Sequence, residues 1–143
     1  MLVSQILQAK GARVHTIGPE ETIAAAVARL DELGIGALVV TSHGRKVVGI
    51  VSERDIVHGL AEQGGDLLSK PVSSLMSRDV FACRLTDTGN ELLGYMTDRR
   101  IRHVPVVEDG DLCGMVSIGD VVKSRLDEIQ HESDALREYI TQS

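Results

Sequence analysis

Two aspartates stand out for their company. Asp55 closes the run Gly49-Ile-Val-Ser-Glu-Arg-Asp55, and Asp120 closes Gly114-Met-Val-Ser-Ile-Gly-Asp120, so each lies three residues after a serine that ends an apolar stretch. The apolar stretch reads as a buried strand, and Ser52 and Ser117 read as the N-caps of the helices that follow. A helix start exposes free N–H groups and positive dipole character, which suits phosphate. A carboxylate in the first turn can accept hydrogen bonds from two adjacent sugar hydroxyls, as an acidic residue does in dinucleotide sites. Ser-x-x-Asp is equally a capping box, in which the serine takes the N3 amide and the acid reaches back to the cap amide. One such unit would be read as a cap alone; two in register, with cations near them, point to a nucleotide held by ribose and phosphate.

The cations are few. Arg99-Arg100-Ile-Arg102-His103 is the densest basic cluster and runs straight into the apolar Val104-Pro105-Val106-Val107. Arg102 offers a guanidinium fork and His103 a tunable donor at a strand entry, whereas Arg99 and Arg100 read as a solvated helix C-terminus. Arg54, inside the first motif, can reach an anion at its own helix start or simply face solvent, and Lys10 is a further candidate. Thr16 places a hydroxyl at a strand edge where a base can be read. Gly36 and Ala37 stand in the first half where Arg102 and His103 stand in the second, so two sites would differ. His15, His43, His58 and His131 share no ligand spacing, which leaves metal binding without support. No glycine follows Ser52 as a nucleophile elbow requires, and Gly34-Ile-Gly36 lacks the third glycine of a dinucleotide fingerprint.

The elements that must position these residues come twice. A shift of 66 residues superposes Val14 on Val80, Thr22 on Thr88, Ile35 on Ile101 and Val40 on Val106; a shift of 65 then superposes Gly49, Ser52 and Asp55 on Gly114, Ser117 and Asp120. Each copy reads strand, helix, strand, strand, helix. In the first, Val14–Ile17 is a strand, Pro19 starts a helix at Glu20 or Glu21, and Gly34 ends it. Ala37–Thr41 and Val47–Val51 are strands around a turn at Ser42–Arg45, and a helix covers Glu53 to about Glu62. Gly64-Gly65-Asp66 is the linker, after which Val72-Ser-Ser-Leu-Met76 echoes Val3-Ser-Gln-Ile-Leu7. The expected division is 1–65, 66–128, and a helical extension 129–143. Val122, Leu126, Ile129, Leu136 and Ile140 mark a long last helix with a narrow apolar stripe, packed on its own domain or on a second copy.

Bulk composition bounds the function. The 143 residues are 43% hydrophobic and 25% charged, with a net charge of −6 and only 2% aromatic. An acidic chain with few rings is not built for nucleic acid. No stretch reaches the length needed to cross a bilayer, and the first residues lack a signal-peptide core, so a cytoplasmic protein is expected. Cys83 and Cys113 form no ligand set and read as buried thiols.

The tandem Gly-h-V-Ser-x-x-Asp motifs (h, an apolar residue) and Ile101-Arg-His-Val-Pro-Val-Val107 resemble the cystathionine-β-synthase (CBS) domain family over about Met1 to Leu126, in the manner of a stand-alone bacterial CBS pair. The resemblance implies an α+β fold of two β-α-β-β-α modules packed with pseudo-two-fold symmetry, a homodimer, and an adenine nucleotide such as AMP, ADP, ATP or NAD(H) in the inter-module clefts. It assigns Asp55 and Asp120 to ribose, Ser52 and Ser117 to phosphate, Arg102 and His103 to the phosphate surroundings, and Ile50, Met115, Thr16 and Ala37 to the adenine. Gly119 stands where Arg54 does in the first motif, and the Gly36-Ala37 substitution noted above is the second departure. The implied protein is a regulatory sensor and not an enzyme, acting on a separate partner protein because no enzyme or transporter domain accompanies it. A structural dimerisation module and a metal-dependent nucleotide hydrolase are the rival readings.

Overall fold

A computed structural model describes residues 1–142. The chain is α+β and divides into two compact units: one holds Met1–Ala12, Ala82–Val107 and Gly114–Ser143, the other Arg13–Phe81 and Glu108–Cys113. These units are not the sequence repeats. The segment before each repeat's first strand packs in the unit of the other repeat, so the stretch 1–12 belongs with the second copy and 64–81 with the first.

In the unit containing Arg13–Phe81, β1 (Thr16–Ile17) lies parallel to β2 (Ala37–Ser42), which runs antiparallel to β3 (Lys46–Ser52). Lys46 pairs in turn with Asp111 of β5 (Asp111–Ser117). Helices α2 (Ile23–Leu33) and α3 (Glu53–Gln63) pack on one another. β2 opens with the unbroken apolar run Ala37–Val40, of which Leu38, Val39 and Val40 are fully buried, the pattern of a strand covered on both faces. The three-residue turn His43-Gly44-Arg45 joins β2 to β3, with His43 and Gly44 at φ 48° and 88°, the left-handed region that glycine enters freely and histidine more readily than most residues.

Three expectations are corrected here. α2 begins at Ile23 and not at Glu20 or Glu21, since the Thr22 hydroxyl accepts the Ala25 amide at 3.1 Å and caps the helix there. Glu21 is turned to other work, accepting from the Gly18 amide at 2.7 Å and from Arg29 at 3.0 Å. The stretch after Gly64 is no loose linker: Gly64–Ser69 forms a 3-10 turn whose Leu67 is fully buried, in the same apolar cluster as Ile56 and Val72. Burying one leucine removes enough apolar surface to stabilise by about 1.5–3 kcal/mol, which outweighs the preference of a Gly-Gly pair for disorder. Finally, the first strand of the second copy shrinks to one parallel bridge between Cys83 and Val106. That bridge is the register equivalent of Ile17 with Val40.

The other unit carries α1 (Val3–Lys10), α4 (Gly89–Arg99), β4 (His103–Glu108), most of β5, and α5 (Ile118–Gln142). Both α1 and α4 pack on α5. Thr88 caps α4 through the Glu91 amide at 3.1 Å, as Thr22 does for α2. Arg100 ends α4 at φ 56°, the left-handed conformation that Gly34 takes at φ 63° in the first copy.

Candidate functional site

Each copy of Gly-h-V-Ser-x-x-Asp lies where a strand runs into a helix. At the start of α3 the Ser52 amide and hydroxyl both donate to Asp55 Oδ2 at 2.9 Å, and the Asp55 amide donates back to Ser52 Oγ at 3.2 Å. At the start of α5 the Ser117 amide donates to Asp120 Oδ2 at 2.8 Å and the Asp120 amide to Ser117 Oγ at 3.1 Å. Both motifs are therefore true capping boxes, each satisfying two orphan helix-start amides. Every hydrogen bond to these two carboxylates among the described residues ends on Oδ2. Oδ1 of each accepts none, so a carboxylate oriented by its own backbone keeps an acceptor for a ligand hydroxyl.

The thirteen candidate residues fall into two groups, one in each unit. Thr16, Gly36, Ala37, Ile50, Ser52, Arg54 and Asp55 lie together in the first. The Glu53 amide donates to the Gly36 carbonyl at 3.0 Å, which ties the entry of β2 to the start of α3. Ala37 pairs with Ser52 across β2 and β3, and Ala37 is buried while Thr16 and Ile50 are half-buried. Arg54 is exposed beside Asp55. Lys10, Arg102, His103, Met115, Ser117 and Asp120 lie in the unit that holds Met1–Ala12. Here the Ile118 amide donates to the Arg102 carbonyl at 2.9 Å, the same bond in the equivalent place. Arg102 is exposed and His103, first residue of β4, is half-buried.

The two groups differ in one decisive contact. Lys10 Nζ, at the end of α1, donates to Asp120 Oδ2 at 2.6 Å and to the Met115 carbonyl at 2.7 Å. The equivalent carbonyl in the first copy, that of Ile50, is instead taken by the Ser77 amide at 2.9 Å. Burial pushes the Asp120 carboxyl up, but the Lys10 ammonium and then the Ser117 amide and hydroxyl outweigh it, and the group rests below the ordinary aspartate value. Asp120 is thus held as a carboxylate with a cation already beside it. Asp55 has no such cation in its bonding set, and Arg54 is the nearest charge by sequence.

Sequence reasoning missed why each motif opens with glycine. A Cβ on Gly49 would lie 2.6 Å from Met76 Sδ and 2.9 Å from the Ser77 carbonyl oxygen, and one on Gly114 would lie 2.8 Å from both Leu7 methyls. Leu7 and Met76 are the echoed last residues of the two segments that precede the repeats, so the echo noted in the sequence has a packing cause. Beside the first group, Val27, Leu30, Ile35, Ile56, Val57 and Leu60 line an apolar groove of about 630 Å³ between α2 and α3, with Gly36 and Glu53 on its wall. No composition signal announces this groove; it arises where two amphipathic helices diverge.

No group of three or more metal-ligating side chains is assembled among the described residues, and no helix among them is long and apolar enough to cross a membrane. The CBS domain family model matches residues 4–62 and 72–127. The mitochondrial CBS domain-containing protein CBSX3 of Arabidopsis thaliana is 36% identical over 85% of this chain, a match that spans 61% of that protein. The crystal structure of the CBS-domain containing protein ATU1752 from Agrobacterium tumefaciens is 44% identical, covers 87% of this chain and 99% of its own, and superposes with a TM-score of 0.83. The CBS domain pair of protein MJ0100, solved in complex with 5′-methylthioadenosine and S-adenosyl-L-methionine, is 26% identical with a TM-score of 0.73, over 91% of this chain and 98% of its own. With two family matches over most of its length, two capped Ser-x-x-Asp helix starts in equivalent register and these neighbours, the chain belongs to the CBS domain family as a tandem pair.

Proposed function

We propose that this protein is an adenine-nucleotide-binding regulatory module, taking a ligand of the AMP, ADP, ATP or NAD(H) class and acting on a separate partner protein as a homodimer. The observation that carries the reading is the geometry of the two carboxylates: Oδ2 of Asp55 and of Asp120 is spent on the helix cap, and Oδ1 accepts no bond among the described residues. In this reading the free oxygen takes a ribose hydroxyl. Ser52 and Ser117 with their helix starts meet phosphate, Arg102, His103, Lys10 and Arg54 neutralise it, and Thr16, Gly36, Ala37, Ile50 and Met115 surround the base. The adenosine ligands of the MJ0100 pair support the ligand class. The uncovered apolar stripe of α5, with Val122, Leu126, Ile129 and Leu136 exposed, supports self-association, and free Cys83 and Cys113 agree with a reducing cytoplasm.

A ligand regulates only through its differential affinity for two states, so binding is tested first. Calorimetry with AMP, ATP and NADH should give heat for at least one, and Asp55→Ala or Asp120→Ala should weaken the filled site by about 1.5–3 kcal/mol, the value of a hydrogen bond to a charged group. No heat and no thermal shift with any of the three at millimolar concentration overturns the reading. The second reading, a structural module in which Ser-x-x-Asp is only a cap, is favoured by the observed capping boxes. It predicts that both substitutions lower stability with no ligand dependence at all.

A further inference from the structure

Helix α5 outruns the body from which it starts. Val121 and Ser124 are buried, but beyond Ser124 no described residue of α5 is buried. Val122, Leu126, Ile129 and Leu136 nevertheless repeat on one face, exposed by 45, 60, 48 and 60%, with Ser133 between the last two on the same face. At 3.6 residues per turn these five side chains fall within about a quarter-turn of one another. A helix of this length standing in water with its stripe uncovered draws little from propensity alone, and amphipathic helices are held chiefly by covering that stripe. The stretch also lies mostly beyond residue 127, where the family match ends.

We propose that α5 pairs with α5 of a second copy, parallel and in register, with Val122, Leu126, Ile129, Ser133 and Leu136 as the seam. This deepens the homodimer of the proposed function, and rests on that part of it, by committing to the surface and the direction. The flanking charges choose the direction. With the seam residues as the d and a positions of a heptad, Glu132 takes g and Arg137 the following e, and in a parallel pair these two face each other across the seam twice by symmetry. In an antiparallel pair that keeps the same seam, Glu132 meets its own copy and Lys123 meets Arg137, so like charges are brought together. Neither Glu132 nor Arg137 forms an ion pair within the described chain, whereas Arg125 is held by Glu128 at 3.0 Å and Glu128 by the N-terminal amine at 2.6 Å. Ser133 supplies one polar layer, the kind of residue that fixes register at some cost in stability.

The full chain carrying Ser133→Cys in a Cys113→Ser background should form a disulfide-linked dimer on mild oxidation, while Glu138→Cys, on the opposite face, should not. By sedimentation, Arg137→Glu should raise the dimer dissociation constant about 2- to 30-fold, as expected for two exposed pairs, and adding Glu132→Arg should restore it. A dimer whose Ser133→Cys form links no better than Glu138→Cys overturns the helix pair while leaving the homodimer standing. A linked dimer indifferent to the Arg137→Glu change overturns the parallel direction. A monomer at every concentration overturns both the helix pair and the homodimer, and nucleotide calorimetry on the same samples reads the ligand part of the proposed function separately.

Discussion

Lys10 and Asp120 allow the second helix start to be tested as a coupled unit. Their 2.6 Å contact corresponds to a gross attraction of about 6 kcal/mol at an effective dielectric of about 20. Most of that is returned as desolvation, because the side chains keep only 33% and 24% of their exposure. Exposed pairs retain about 0.2–1 kcal/mol and charged hydrogen bonds about 1.5–3, so a half-buried pair that also engages the Met115 carbonyl should retain a coupling of about 1–2 kcal/mol. The cycle is Lys10→Met, Asp120→Asn and the double substitution, each unfolded in urea at neutral pH. The double variant should be more stable than the sum of the single losses predicts by that coupling. Since the Asp120 carboxyl sits below its ordinary value in the folded chain, its contribution is present above the usual aspartate range and is lost as pH falls through the lowered folded value. Lys10→Met should therefore flatten the acid limb of stability against pH. A coupling indistinguishable from zero, or an acid limb unchanged by Lys10→Met, would refute the claim that this lysine holds the carboxylate.

Gly49→Ala should cost about 1–3 kcal/mol, and Gly114→Ala less, because the first meets the Ser77 backbone oxygen and the second only the movable end of Leu7; equal costs in urea melts would contradict this. Arg100→Gly should raise stability by about 0.5–1 kcal/mol by relieving a left-handed conformation at the end of α4, and a lowered melting point would count against it. The Cys83 thiol, pushed up to about 12 chiefly by burial and further by the Asp87 carboxylate, should resist a thiol reagent at pH 8 until the chain unfolds, while half-buried Cys113 reacts in the native state. Mass mapping of the first modified cysteine decides it.

Much was legible in the sequence because its signals are local. Alternation, apolar runs and caps depend on residues within a turn of one another, so β2, β3, α3 and the two Ser-x-x-Asp starts could be placed from order alone. The repeat shift survives to the level of single bonds: the Gly36 and Arg102 carbonyls accept equivalent amides, and Thr22 and Thr88 cap equivalent helices. Where local signals compete, the chain order misleads. Pro19 marked a helix start that Thr22 overruled, and the Gly64-Gly65 pair suggested slack where Leu67 is drawn into the core.

What sequence alone determined, then, is the list of parts: two equivalent modules, their capped acid-bearing helix starts, and Lys10, Arg54, Arg102 and His103 as the candidate partners for an anion. What only the tertiary structure decided is which parts meet. Lys10 and Asp120 are 110 positions apart, and neither residue carries any local mark of the other. The segments before the repeats pack crosswise, Leu7 against Gly114 and Met76 against Gly49. Contact between distant segments is set by which surfaces fit and bury together, a property of the folded whole that no window of neighbouring residues contains.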